Sequence, residues 1–269
     1  MKIRILSTVI MIACLMVSIA AHDLFLKLDT YFVKPGEKIS ISVLNGSFQG
    51  SEGAVSFARL ADASVVWPGG ERSKAKETEF TKNDKTAFFN FEPTKTGTYV
   101  AGLSTMPREI ELNGKDFNEY LVEDGIPDTL AERQRLGELE KPVRERYSKH
   151  VKAIFQAGDK RTDNYKTAMG YPVEILLKKN PYSLKVGDTL EFVCIKDGKP
   201  IAGQYVMTGR DDGTNLRVGE NVRANKKGVA RVKLSGSGKW YFKFINMTRL
   251  DDPKLNYESK WASISFEIR

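Results

Sequence analysis

The chain has 269 residues, 41% hydrophobic and 28% charged, with a formal net charge of +8. This composition excludes a disordered, collagenous or disulfide-rich chain, and the length is generous for one sandwich-sized domain and sufficient for two. The basic excess is scattered, with no arginine-rich helix or aromatic-interleaved basic stripe, so no nucleic-acid surface is expected.

Residues 1–21 have the layout of a secretory signal peptide: Lys2 and Arg4, an apolar stretch over 5–17, then the small residues Ser18, Ala20 and Ala21. The apolar stretch falls short of the ~20 residues that span a bilayer, and no later segment approaches that length. The expectation is a periplasmic protein with no transmembrane segment after cleavage. Cleavage after Ala20 and cleavage after Ala21 both fit, and either leaves His22 at or beside the new amino terminus. A competing reading takes Met11-Ile12-Ala13-Cys14 as a lipobox, but the apolar run continues past Cys14 and the segment before it is short. Loss of the leader leaves Cys194 as the single cysteine, so no intramolecular disulfide can form. Within the apolar run 190–195 it reads as a small buried hydrophobe.

The chain then repeats itself. Tyr31, Lys34, Gly36 and Glu37 return at equal spacing as Tyr182, Lys185, Gly187 and Asp188, each set followed by alternating apolar residues: Ile39, Ile41, Val43 and Leu190, Phe192, Cys194. A glycine-acid turn feeding a strand is therefore used twice. A second echo pairs Thr96-Gly97-Thr98-Tyr99 with Ser237-Gly238-Lys239-Trp240, a glycine followed by an aromatic strand. Further strands are expected at 54–60, 64–67, 86–91 and 108–112 in the first half, and at 173–177, 204–208, 228–234, 239–245 and 261–268 in the second. Asp197-Gly198-Lys199-Pro200 is a hairpin signal.

Between the two sets, alternation stops. Phe117, Tyr120 and Leu121 share a helical face over 115–122, and Pro127 stands at a first-turn position ahead of 128–136, so short helices are expected. Residues 144–156 fit a helix through Tyr147, Val151, Ile154 and Phe155, and a strand through Tyr147, Val151, Ala153 and Phe155. A strand would return the chain to the first sandwich and make the helices an insertion. The expected fold is mainly all-β, two tandem immunoglobulin-like β-sandwiches. The first covers 22–157 with a helical insertion at about 113–142, a polar linker follows at 158–170, and the second covers 171–269.

Six segments together resemble a known family: His22-Asp23-Leu24-Phe25-Leu26, Lys34-Pro35-Gly36-Glu37, the run 144–149, Gly170-Tyr171-Pro172-Val173-Glu174-Ile175, the hairpin 197–203, and Tyr257-Glu258-Ser259-Lys260-Trp261-Ala262-Ser263. In order and spacing they are similar to a bacterial envelope family of unknown function often called NikM-like, or nickel-uptake-related, over the whole mature chain. The resemblance implies a periplasmic protein of two β-sandwiches that handles a transition metal. Relatives often carry a His-Met pair where Asn246-Met247 stands here, which weakens metal binding if that histidine is a ligand elsewhere.

Only two histidines exist, His22 and His150, so sites built from several imidazoles are nearly excluded. Cleavage after Ala21 would let His22 chelate through its α-amine and imidazole. Cleavage after Ala20 would offer the Ala21 amine, the His22 amide nitrogen and the imidazole. Nitrogen-rich, planar-leaning ligation suits copper or nickel ions, at the strong end of the Irving–Williams order, and the ion expected is nickel, cobalt or copper. Asp23, His150, Met247 or Glu258 would support such a site if folding brought them near. The plainer reading makes His22 the start of the first strand, with Leu24, Leu26 and Leu28 pointing inward, and His150 a structural residue. Asp211-Asp212-Gly213 reads as a hairpin tip rather than a calcium loop. No Gly-x-Ser-x-Gly elbow, His-Glu-x-x-His or phosphate-cradling loop occurs, so no enzyme is expected. The leading expectation is a metal-binding or metal-uptake accessory protein. The alternative is a non-catalytic envelope module that contacts another protein or a glycan.

Overall fold

The computed structural model describes residues 22–269; the expected signal peptide and cleavage point lie outside the described residues. The first half contains β1 (Asp23–Lys27), β2 (Phe32–Val33), β3 (Ile39–Gly46), β4 (Leu60–Val66), β5 (Arg72–Lys74), β6 (Phe80–Lys82), β7 (Ala87–Phe91), β8 (Gly97–Thr105) and β9 (Arg108–Leu112). Helices α1 (Gly114–Glu123) and α2 (Pro127–Arg135) follow, and then the long strand β10 (Val143–Ala157). The second half contains β11 (Val173–Leu177), β12 (Thr189–Lys196), β13 (Lys199–Pro200), β14 (Tyr205–Asp211), β15 (Leu216–Val218), β16 (Val222–Arg223), β17 (Val229–Lys233), β18 (Gly238–Arg249) and β19 (Tyr257–Ile268).

These strands make β-sandwich layers with one long sheet in common. Strands β15-β14-β18-β19-β10-β8-β4-β5 form a continuous path, while β1-β3-β7-β6 and the sheet of β11, β12, β13 and β17 are separate. The join is a parallel pairing of β10 with β19, from Glu145 opposite Tyr257 to Ala153 opposite Ser265. One apolar core runs through both halves, from Leu26, Ile41, Tyr99 and Phe155 to Phe192, Trp240, Phe242 and Phe266. Residues 144–156 are thus strand, which makes the helices an insertion.

The repeated motifs produce repeated structure. Gly36 (φ +83°) and Gly187 (φ +96°) both take the left-handed turn conformation that glycine adopts without steric cost. In each turn the following acid accepts from the lysine backbone: Glu37 from the Lys34 N–H at 3.1 Å and Asp188 from the Lys185 N–H at 3.0 Å. The second echo is a corner. The Tyr99 hydroxyl donates to the Lys95 carbonyl at 2.6 Å, and the Trp240 indole donates to the Gly236 carbonyl at 3.0 Å. A tyrosine corner of this kind ties down a strand entry in immunoglobulin-type sandwiches. Asp197 and Gly198, both at positive φ, close the β12–β13 hairpin as a two-residue loop of the type Asp-Gly favours.

Two local expectations need correction. The strand expected at 54–60 is instead loop and a 3-10 turn over Phe57–Arg59, where the Phe57 ring packs on Phe80 at 5.0 Å. The strand expected at 64–67 begins earlier, at Leu60, because its edge is recruited along β8. Residues 158–170 form more than a tether. They contain a 3-10 turn over Asp163–Lys166, and buried Asn164 donates to the Trp67 carbonyl at 2.7 Å.

The helical insertion covers the outer face of the shared sheet. Asn113 caps α1 by accepting from the Asp116 N–H at 2.9 Å, and Pro127 starts α2, where no amide partner is needed. Phe117, Tyr120 and Leu121 pack with Val143, Ile245, Tyr257 and Trp261, so the first half supplies helices that bury residues of the second. Arg133 is buried among them, its guanidinium donating to Asn118 Oδ1 at 3.0 Å and to the Glu138 and Lys141 carbonyls at 2.6 and 3.0 Å.

Candidate functional site

Strand β1 runs antiparallel to β3, with Asp23 opposite Gly46, and lies across β10 and β19. His22 stands one residue before it. The imidazole is half-buried, with Nε2 3.5 Å from a carboxylate oxygen of Glu52, and the His22 carbonyl accepts from the Lys149 ammonium. Glu52 sits on the loop after β3, and its backbone N–H donates to the Asn45 carbonyl at 2.9 Å, which fixes the loop beside His22.

Beneath His22 lies a compact group of buried charges. Lys243 on β18 bridges Asp23 at 2.5 Å and Asp124, the residue closing α1, at 2.8 Å. Burial penalises the Lys243 charge, but the two carboxylates outweigh it and hold the ammonium above its ordinary range. Burial pushes Asp124 up to about 6, with Lys243 acting in the opposite direction. Lys149 on β10 lies over the Trp261 ring at 4.8 Å, and burial lowers it to about 8 against the pull of Asp23 and Asp124. Two residues before Tyr147, near the start of β10, Glu145 is pushed up to about 7 by burial, opposed by hydroxyl donors from Ser259 and Tyr120. The cavity left among Asp23, Lys149, Lys243 and Trp261 is only about 10 Å³, so this group is packed.

The structure places His22 and Asp23 side by side and commits the other three candidate ligands elsewhere: Glu258 on β19 pairs with Lys260 at 3.4 Å, and His150 and Met247 have the surroundings that follow. His150 follows Lys149 and therefore faces the other side of β10. Its ring nitrogens lie 2.9 Å from Ser104 Oγ and 3.0 Å from Ser148 Oγ, and burial drives it down to about 4. Met247 packs on the cluster around Ile245, Tyr257 and Trp261 and borders a cavity of about 140 Å³ beside Asn246. Asp23 has its carboxylate committed to Lys243. Among the described residues, no group of three or more His, Cys, Asp or Glu side chains converges to hold a metal. Asp212 closes the β14–β15 hairpin, accepting from the Thr214 and Asn215 amides and from Arg217 at 2.8–3.0 Å. These donors hold its carboxyl well below the usual range. Cys194 is buried on β12, and burial pushes its thiol up.

Glu52, Asp124, Lys149 and Lys243 were not singled out by the sequence. Their partners are 30 to more than 200 positions away, and nothing local marks a lysine that will be buried. The alternation of β10 was the one available signal, since it places Lys149 and His150 on opposite faces.

The strands define a β-sandwich protein with a helical insertion; no described helix is long and apolar enough to cross a membrane. The chain belongs to the family described as a domain of unknown function, DUF4198, which it matches over residues 19–248. No curated protein matches it. Among solved structures it is similar at 12% identity to a tetra-tandem repeat in the extending region of a large adhesion protein, with 93% of this chain and 50% of that chain covered and a TM-score of 0.25. It is also similar at 12% identity to trypsin-activated alpha-2-macroglobulin from Escherichia coli, covering 92% of this chain and 16% of that one with a TM-score of 0.25. The D0-D1 domain of intimin matches at 13% identity over 91% and 97% of the two chains, with a TM-score of 0.20. Scores of this size carry no argument about function.

Proposed function

We propose that this chain is an exported, periplasmic, non-catalytic protein whose processed amino terminus binds a nickel, cobalt or copper ion for uptake or buffering. The observation that carries the reading is the place of His22: at the entry to β1, beside the leader, with its imidazole 3.5 Å from the Glu52 carboxylate. Cleavage after Ala21 would add the α-amine, giving two nitrogens and a carboxylate. Cleavage after Ala20 would add the Ala21 amine and the His22 amide nitrogen. Either set suits the strong end of the Irving–Williams order. The resemblance to nickel-uptake-related proteins agrees in kind. Asp23, His150 and Met247 are left out of the proposed set, since ion pairing, hydroxyl contacts and apolar packing already occupy them.

The test is competitive titration of the correctly processed protein with Ni²⁺, Co²⁺ and Cu²⁺, beside His22→Ala, Glu52→Gln and a variant carrying one extra residue ahead of the mature terminus. Loss of the imidazole or displacement of the amine is expected to weaken binding by about a hundredfold, as for removal of a ligand or its direct support. Wild-type affinity in His22→Ala removes the site.

A further inference from the structure

A groove of about 550 Å³ opens at one end of the first sandwich, lined by Lys38, Ile39 and Ser40, by Asn90, Phe91 and Glu92, by Thr78 and Glu79, and by Trp67. We propose that this groove binds a neutral oligosaccharide, independently of any metal at His22. The volume lies within the ~300–1,000 Å³ of small-ligand sites.

A sugar ring has an apolar face of C–H groups and a circumference of hydroxyls. The groove offers the complement of both. Its floor is apolar and aromatic, with the Trp67 and Phe91 rings 4.9 Å apart at 67° and Ile39 beside them. Both the floor and one side of the rim are fixed before any ligand arrives. The Trp67 indole donates to Ser73 Oγ at 2.8 Å. Asn90 donates to the Glu79 carbonyl and Thr81 hydroxyl, each at 3.1 Å, and accepts from Ser40 at 3.0 Å. Rigid placement reduces the ordering that binding would otherwise require. Thr78, Glu92 and Lys38 complete the rim as exposed groups, and among the described residues neither Glu92 nor Lys38 is in an ion pair.

Charge decides the sugar class. The lining carries the Glu79 and Glu92 carboxylates and the Lys38 ammonium, and Lys95, whose ammonium lies 5.7 Å from the Trp67 ring, is paired with Glu71 at 3.1 Å, so a uronic or sulfated glycan would meet excess negative charge. An apolar peptide would bury the rim carboxylates without partners.

The mature chain should be titrated with cellohexaose, chitohexaose and maltohexaose, with a hexagalacturonate as the acidic control and decaproline as the peptide control. Affinities of the wild type and of every variant are read by isothermal titration calorimetry; because Trp240 and Trp261 are 1% and 4% exposed, a change in tryptophan fluorescence in the wild type reports contact at Trp67. At least one neutral hexasaccharide is expected to bind saturably in the millimolar range or tighter. Trp67→Ala should weaken it by about tenfold, the size of one aromatic stacking contact. Glu92→Ala, an exposed change that leaves the floor intact, should weaken it less while leaving thermal unfolding unchanged. The proposal is overturned if no neutral sugar binds, if the acidic sugar or decaproline binds more tightly, or if Glu92→Ala and Trp67→Ala both retain full affinity.

Discussion

Replacing Lys152 and replacing Glu174 should have unequal consequences, although the two form one ion pair. Their charged groups lie 2.9 Å apart with side chains 2% and 1% exposed, where β10 meets the start of β11. The carboxylate also accepts from the backbone N–H groups of Met169, Gly170 and Tyr171, at 2.9, 2.9 and 3.1 Å. In Lys152→Met the carboxylate loses the ammonium but keeps three amide donors. Breaking a buried pair costs about 3–5 kcal/mol, and the surviving amides place this variant near 3. In Glu174→Ala the ammonium is stranded and the buried amides of Met169 and Tyr171 lose their acceptor, at about 1–3 kcal/mol for each orphaned group, while the Gly170 amide can turn to water. That total rivals the ~5–15 kcal/mol that holds a typical domain together. Burial already lowers the Lys152 pKa, so a stranded lysine sheds its proton and limits part of the loss, but the Met169 and Tyr171 amides have no such escape. Urea unfolding followed by circular dichroism should show Lys152→Met folded with a lowered midpoint and an unchanged slope, and Glu174→Ala largely unfolded. One transition is expected for the wild type, because the halves share a sheet and a core. Equal destabilisation by the two variants, or a greater loss in Lys152→Met, would refute the reasoning.

Acid response offers a second check. Burial lowers His150 from 6.5 to about 4, so as pH falls through that window the unfolded chain takes up a proton the folded chain refuses, and stability is lost. Glu145, raised from 4.5 to about 7, acts with the opposite sign: the folded chain holds the proton, and stability grows as pH falls from 7 towards 4.5. The two contributions oppose one another in the wild type. His150→Asn should therefore gain roughly 3 kcal/mol relative to the wild type on going from pH 7 to pH 4, read from urea midpoints, and an unchanged difference would contradict the assignment. The corner gives a further expectation: Tyr99→Phe loses the bonds to both the carbonyl and the N–H of Lys95 at 2.6 and 2.9 Å, and should cost about 1–2 kcal/mol. A midpoint equal to the wild type would deny the corner a stabilising role.

Much of the scaffold was legible because its signals are local. A glycine-acid turn determines its own φ and its own hydrogen bond, so Gly36-Glu37 and Gly187-Asp188 announce the same strand entry wherever they occur. The same holds for Asn113 and Pro127 at helix starts. Residues 144–156 stayed open between helix and strand because β10 is buried on both sides along most of its length, which blurs the period-two pattern. The segment 54–60 misled because alternating apolar residues also occur where a loop lays Phe57 on Phe80. For the site, position next to the expected cleavage point singled out His22, whereas Glu52 and Lys243 could not be found without knowing which strands adjoin β1. The parallel pairing of β10 with β19 joins residues more than a hundred apart, and no periodicity encodes it.

That pairing also bears on why the start of β1 is so firmly held. Lys149 arrives on β10 from the first half, Lys243 on β18 from the second, and Asp124 at the end of the helical insertion. Each contributes a charge that is unfavourable alone at this depth, and together with Asp23 they sum to two positive and two negative groups in a cavity too small for solvent to substitute. The cluster therefore forms only when the insertion, both central strands and the first strand are all in place. His22 is attached to that cluster by its own carbonyl and by its neighbour's carboxylate. Its imidazole is presented by the completed fold of both halves, and a fragment ending at residue 157 would lack the β18 lysine that fixes Asp23.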